Sequence, residues 1–271
     1  MPTPELIALV VLLAAAGLVV GYLSGLLGVG GGGLLVPVLY ETFGVVGVDD
    51  GVRTHLALGT SLAVILPTSV QAYRLHRARG AADLAVLRFV GLGVIAGVGI
   101  GLAIAARVDG TVLRTVFVVF CAVMAARLLA GNERWQLGTV LPGPPWQIGL
   151  GTVTGAVGAL IGIGGGAFVT SFMTLYGRSM LQAIATAAGI SPIIAVPGVI
   201  GYVIVGFGDE ALPPGSLGFV SLAGVALLLP TSFFATSYGV RAAHRFSRRA
   251  LELAFAAFLI VVGARFMVSL L

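Results

Sequence analysis

The sequence predicts an all-α polytopic membrane protein. It reads as two inverted-topology helical repeats with glycine-broken helices, making eight to ten membrane segments in all. Three observations carry that prediction. Only 25 of the 271 residues are formally charged, 15 of them arginine and none lysine, while 58% are hydrophobic and the mean hydropathy is +1.11. Uncharged stretches of membrane-helix length recur along the chain, and a glycine run in the first half returns in the second. Soluble domains place charge at roughly a quarter of their positions, because water must be faced somewhere. A soluble globular domain is therefore excluded, and so is intrinsic disorder. The net charge of +5 does not imply a nucleic-acid partner, since the arginines gather in a few short loops.

Crossing ~30 Å of hydrocarbon takes about 20 apolar residues. On that measure helices are expected over 6–28, 33–44, 54–73, 84–106, 111–130, 146–162, 166–177, 180–205, 216–238 and 249–270. The uncharged stretches 6–40 and 135–177 are too long for one helix, and each contains a glycine cluster: Gly30-Gly31-Gly32-Gly33 and Gly164-Gly165-Gly166. The pieces that follow, 33–44 and 166–177, are short for a span and read as half-helices or re-entrant arms. The N-terminal run could pass for a signal peptide. Met1–Glu5 has no basic residue, however, and the run leads into a glycine break that recurs, so it is read as a mature helix. Cys121, the single cysteine, lies in an apolar run and is read as packing.

Residues 1–130 and 146–271 are read as two copies of one unit within a single transmembrane domain, joined by the linker 131–145. Gly28-Val29-Gly30-Gly31-Gly32-Gly33 returns as Gly162-Ile163-Gly164-Gly165-Gly166-Ala167, and Ala57-Leu58-Gly59-Thr60 returns as Ala183-Ile184-Ala185-Thr186. Leu113, Phe117 and Ala126-Arg127 match Leu251, Phe255 and Ala264-Arg265. Charge gives the orientation, because cytoplasmic loops collect arginine. The basic loop of the first half, Arg74 to Arg79, follows the third helix of its unit, whereas that of the second half, Arg241 to Arg249, follows the fourth. Placing both inside turns the halves upside down relative to each other. It leaves 11 arginines inside, with Arg53, Arg107, Arg114 and Arg265 as exceptions, and 7 of the 10 acids outside. Inverted repeats are a hallmark of secondary transporters, and they also occur in some channels.

Four readings of the glycine clusters compete. Small residues let helices approach closely in lipid, as scattered Gly91, Gly93, Gly97, Gly99 and Gly101 already suggest. Gly28, Gly30 and Gly33 satisfy G-x-G-x-x-G, but that fingerprint needs a preceding strand, and here a membrane-length apolar run precedes it. A phosphate-binding P-loop needs a lysine, and the chain has none. The favoured reading is an anion site. A glycine run bares several N–H groups, and the helix that starts there adds its positive dipole end. Successive N–H groups in a concavity bind small oxyanions.

Gly30, Gly31, Gly32, Gly33, Gly164, Gly165 and Gly166 are thus the candidate substrate-binding residues, together with Thr60, Ser61 and Thr186 in otherwise apolar helices. Ser24, Gln71, Gln182 and Ser191 are further candidates, although such hydroxyls often bond their own helix. Pro67, Pro192 and Pro197 can bend the spans beside the site. No charged residue falls at the centre of a span. Arg88, Arg114, Arg127 and Arg265 lie near span ends and read as topology and headgroup contacts. His55 and Glu41 are the candidates for coupling, with an ordinary cap-region role the commoner one for His55. His76 and His244 sit in basic loops and need no role. No hydrolase or intramembrane-protease constellation is visible. No cofactor and no metal site are expected.

These residues carry a resemblance. Ser24-Gly25-Leu26-Leu27-Gly28-Val29-Gly30-Gly31-Gly32 with Leu35-Val36-Pro37, Ala57-Leu58-Gly59-Thr60-Ser61, and Gly158-Ala159-Leu160-Ile161-Gly162-Ile163-Gly164-Gly165-Gly166 resemble the TauE/SafE family of sulfite exporters over almost the whole chain. The resemblance implies a multi-pass protein of the cytoplasmic (inner) membrane that exports sulfite, sulfoacetate or another organosulfur anion. It implies substrate positions at the two glycine runs and the threonine-bearing helices beside them. The second copy departs from the pattern in reading Gly-Gly-Gly-Ala at 164–167. The expected partners are a small anionic substrate and the lipid bilayer, with a homodimer open and no nucleic acid. An anion channel with the same filter and a non-transporting membrane scaffold remain the alternatives.

Overall fold

The computed structural model of the chain describes residues 3–27, 32–78, 82–130 and 137–268. Ten helices run through these residues: α1 (Thr3–Leu27), α2 (Gly32–Val45), α3 (Asp50–Arg77), α4 (Leu84–Ala105), α5 (Gly110–Ala130), α6 (Pro144–Ile161), α7 (Gly166–Leu175), α8 (Met180–Val205), α9 (Leu222–Ala243) and α10 (Arg248–Val268). The described residues contain no strand, only an isolated bridge between Ser216 and Ser221. Six helices, α1, α3, α4, α5, α8 and α9, are long and apolar enough to cross a membrane. The described residues are thus mainly helical, with several candidate spans.

Polar residues set the helix starts. Asp49 accepts the Gly51 N–H, Asp83 those of Ala85 and Val86, Ser179 that of Gln182, and Ser221 that of Gly224. Each satisfies a donor that the first turn leaves without an intrahelical partner. Pro144 and Pro145 open α6, where a missing N–H costs nothing. The expected helix over 216–238 is corrected to Leu222–Ala243. Gly215 and Gly218 adopt positive φ and the Ser216–Ser221 bridge closes a turn, so the helix waits for its cap at Ser221. Helix α3 outruns the expected 54–73 at both ends, because Asp49 caps it early and Arg74, His76 and Arg77 continue the helix past the apolar run.

Two parallel helix pairs form the flanks. Along α1, Gly17, Gly21 and Gly25 lie on the α9 backbone at Leu228, Ser232 and Thr236, and Gly239 of α9 lies on Tyr22. Along α4, Gly93, Gly97 and Gly101 lie on the α6 backbone at Ile148, Thr152 and Ala156, while Gly151 and Gly155 answer from α6 onto Val90 and Val94. Here the close-packing reading of glycine holds, in G-x-x-x-G stripes. Between the flanks α3 and α8 cross antiparallel, with Gly59 against Tyr202, Gly198 against Leu62 and Gly189 against Tyr73. Helix α5 packs on α10, α2 on α3 and α7 on α8. The His76 and His244 rings lie 5.5 Å apart, which brings the two basic loops to one end of the bundle. Asp49, Asp50, Asp109 and the acidic turn at Asp209–Glu210 belong to the opposite end, where His55 meets Ala105 and Phe219.

Candidate anion site

The second glycine run lies where α6 stops and α7 begins. Gly162 ends α6 in the left-handed conformation (φ 65°), and its N–H and that of Ile163 return to the Gly158 carbonyl. Gly165, again left-handed (φ 68°), is the N-cap of α7. Without a Cβ these turns cost little, and any other residue would be strained by about 1–2 kcal/mol. Gly162 to Ala167 are all buried. The break sits against the middle of α3 and α8: Ser61 donates to the Gly162 carbonyl at 3.0 Å and Ser191 to the Gly164 carbonyl at 2.7 Å.

Those two hydroxyls engage two carbonyls of the break. In a trans peptide the C=O and the following N–H point in opposite directions, so the Gly165 N–H faces away from Ser191. No hydrogen bond is recorded among the described residues for the N–H groups of Gly164, Gly165, Gly166 and Ala167. Those of Phe168 and Val169 return to the Gly165 carbonyl. Four successive buried donors thus open α7, and a buried helix end without partners costs heavily until something fills it.

Thr154, on the arm before the break, is fully buried, and its hydroxyl finds no partner among the described residues. Its methyl would lie 2.6 Å from a Cβ placed on Gly165, and Ile194 would overlap that Cβ. Sequence reasoning missed Thr154. The signal available was helical phase, since it shares the buried face of Gly151, Gly155 and Gly158. Ser24, on the corresponding arm α1, is likewise buried and unpartnered among the described residues.

Of the first run, Gly30 and Gly31 lie outside the described residues. Gly32 opens α2, and Gly33 packs against Phe258, with Ile163 Cδ1 3.8 Å from where its Cβ would be. Val36, one turn on, sits 3.0 Å from the corresponding point on Gly162. The N-terminal turn of α2 therefore rests directly on the second break.

Thr60 and Thr186 are not brought together. The antiparallel crossing of α3 and α8 carries them toward opposite ends, and each hydroxyl accepts the backbone N–H of an N-cap in the other half: Ser221 for Thr60 at 2.9 Å and Asp83 for Thr186 at 2.9 Å. The recurrence that singled them out has a structural use. Gln71 bonds Ser237, and Gln182 gives its N–H to Ser179 and its carbonyl to Thr186. His55 is buried, with Nε2 on the Ala105 carbonyl and Nδ1 without a partner among the described residues. Glu41 is half exposed and paired with Arg265 at 2.8 Å.

Arg114, Arg127 and Arg265, read as topology and headgroup contacts, also bond within the bundle. Arg127 donates to the Ser171 carbonyl of α7, Arg265 pairs with Glu41 of α2, and Arg114 donates to Tyr40 of α2. Each guanidinium finds an acceptor inside the bundle on a short helix. His76 also has a use: it is fully buried and bonds the Gly25 carbonyl at 3.2 Å.

Comparison with known proteins agrees with this architecture. The family described as Sulfite exporter TauE/SafE matches residues 13–266. A protein of Haemophilus influenzae named "Probable membrane transporter protein" is 29% identical over 254 residues, covering 94% of this chain and 96% of its own. A protein of Methanocaldococcus jannaschii, also named a probable membrane transporter protein, is 24% identical over 260 residues, covering 96% of both chains. No solved structure matches the chain. With a family match from the first helix to the last, over a helical bundle of membrane-spanning length, the chain belongs to the TauE/SafE sulfite exporter family of membrane transporters.

Proposed function

We propose that the protein exports a small sulfur oxyanion, sulfite or an organosulfonate such as sulfoacetate, across the cytoplasmic membrane by alternating access. The anion is held by backbone amides at the paired glycine breaks. One observation carries the proposal: four consecutive N–H groups, Gly164 to Ala167, buried at a helix N-terminus and without an acceptor among the described residues. A negatively charged ligand supplies the acceptors and gains the helix dipole as well. Ser61 and Ser191 keep the competing carbonyls turned away, and Thr154 adds a hydroxyl.

Two inverted repeats account for the helix pairings. Exchanging α1–α5 with α6–α10 turns the α1/α9 pair into α6/α4 and returns α3/α8 and α5/α10 to themselves. It also turns the His76 bond to the Gly25 carbonyl into the Tyr202 bond to the Ala159 carbonyl. Because α3 and α8 are antiparallel, the axis relating the halves lies across the bundle, in the membrane plane. Such an axis lets one half open as the other closes around a fixed central site.

An inside-negative potential drives an anion outward by about 2.3 kcal/mol per charge per 100 mV. Export then needs no coupling carboxylate, and Glu41 is already engaged by Arg265. Sulfite flux into proteoliposomes with the potential clamped tests this. For a uniporter moving a single charge, 100 mV should shift the equilibrium distribution by about 50-fold. Flux indifferent to potential would remove the uniport mechanism and return attention to His55. Flux that never saturates would assign a channel. Thr154→Val keeps the methyl over Gly165 and deletes the hydroxyl, and should weaken sulfite binding by about fivefold, the worth of one modest hydrogen bond. Isothermal titration of the purified protein measures it.

A further inference from the structure

A crevice runs beside the half-helix α2. Leu12 and Ala16 of α1, Val38 of α2 and Val261 of α10 line a cavity of about 300 Å³, together with Glu41 and Arg265. Leu12, Val45 and Val261 are exposed, so the crevice opens sideways from the bundle, where a membrane protein meets hydrocarbon. Glu41 and Arg265 lie within about a turn of the ends of α2 and α10, at the depth of a headgroup rather than of a chain. Arg265 Nη2 donates to Glu41 Oε1 at 2.8 Å, and the two side chains are 53% and 42% exposed. Neither makes another hydrogen bond among the described residues, although a guanidinium carries five N–H donors and a carboxylate two acceptor oxygens.

The crevice recurs in the second half, without its charges. At the spacing that relates Gly28 to Gly162, Ala16, Val38 and Thr42 correspond to Leu150, Phe172 and Tyr176, which line a cavity of about 640 Å³ beside α7. A gap beside a half-helix therefore belongs to both halves, and the bilayer supplies acyl chains to fill it. The counterpart of Glu41 is Leu175, and Arg127, which matches Arg265, bonds the Ser171 carbonyl. Acyl chains are alike from lipid to lipid, so a cavity admits a chain and the groups at its mouth choose the headgroup. At the α2 crevice a lone phosphate meets repulsion from Glu41, and a lone ammonium meets repulsion from Arg265. A headgroup bearing both charges on a short link satisfies both.

We propose that this crevice binds one phospholipid with a primary-ammonium headgroup. Its chain lies between α1, α2 and α10, its phosphate on Arg265 and its ammonium on Glu41. The site makes specific the headgroup contact that the sequence suggests for Arg265. A quaternary ammonium donates no hydrogen bond to a carboxylate, and phosphatidylglycerol offers it no positive charge. Phosphatidylethanolamine therefore ranks above phosphatidylcholine and phosphatidylglycerol. Val38 and Glu41 face the lipid while Gly33 and Val36 rest near Ile163 and Gly162, so α2 lies between the lipid and the glycine break. The site stands whatever solute the protein carries.

Native mass spectrometry of the detergent-purified full chain, with the three lipids titrated separately, tests the site. The wild type should bind one phosphatidylethanolamine about fivefold more tightly than either of the others, the worth of one hydrogen bond to a half-exposed charge. Glu41→Gln should erase the preference over phosphatidylglycerol, because the remaining guanidinium attracts the anionic headgroup. Glu41→Arg with Arg265→Glu, which keeps both charges, should retain the preference. Ala16→Phe should fill the cavity and abolish tight binding, whereas Leu150→Phe in the second crevice should leave it unchanged. Should Ala16→Phe fail to fold, Glu41→Gln, made on a half-exposed side chain, still decides. Equal affinity for the three headgroups, a preference that survives Glu41→Gln, or tight binding in a folded Ala16→Phe protein would each overturn the site.

Discussion

Gly165→Ala is expected to abolish sulfite binding at the break and to reduce transport at least 100-fold while leaving the helical fold in place. Two effects combine. Gly165 has φ 68°, a conformation that costs a residue with a Cβ about 1–2 kcal/mol. The added Cβ would also overlap Ile194 and sit 2.6 Å from Thr154 Cγ2, so the turn must shift and carry the N–H groups of Gly164 to Ala167 out of register. Four donors aimed at one anion depend on alignment, and misplacement by an ångström costs orders of magnitude in function. Circular dichroism and size-exclusion profiles check the fold, and proteoliposome flux checks the activity. Full transport in a well-folded Gly165→Ala protein would discard the backbone cradle.

Gly21→Val and Gly97→Val are expected to prevent stable assembly altogether. In each case the new Cβ would overlap a backbone carbonyl, Ser232 for Gly21 and Thr152 for Gly97, and backbone cannot rotate away as a side chain can. The helix pairs α1/α9 and α4/α6 would have to separate along their length. Overpacking in well-packed cores typically costs 1–3 kcal/mol, and here two rigid backbones collide, so at least about 3 kcal/mol is expected. Aggregation on size exclusion and a large loss of melting temperature are the readouts. Gly99→Ala is the control: a Cβ there meets nothing within 4 Å, and no loss is expected.

Much of this was legible in the sequence for a simple reason. Apolar length reports directly on membrane helices, because the bilayer sets the number of residues needed. The starts of α4 and α8 fell where expected, since Asp83 and Ser179 announce them. The turn over 216–221 was read as helix because its residues are as apolar as a span; only the positive φ at Gly215 and Gly218 distinguishes it. The glycine break was legible as a break, because three glycines in a row cannot hold a helix cheaply. The partners of Thr60 and Thr186 were not, since both bonds join residues over a hundred positions apart. The pairing of Arg265 with Glu41 was hidden for the same reason, as one-dimensional charge patterning places the two in separate helices.

The pairing of α1 with α9 and of α4 with α6 bears on biogenesis. When the first 130 residues have left the ribosome, the glycine-striped faces of α1 and α4 still lack the helices they fit, which are encoded later in the chain. These early spans must wait in the bilayer, loosely associated, until translation finishes. Final compaction is therefore a late event that involves most of the polypeptide at once. A truncated chain ending in the linker would insert but stay protease-sensitive, and co-expression of the missing part would restore it.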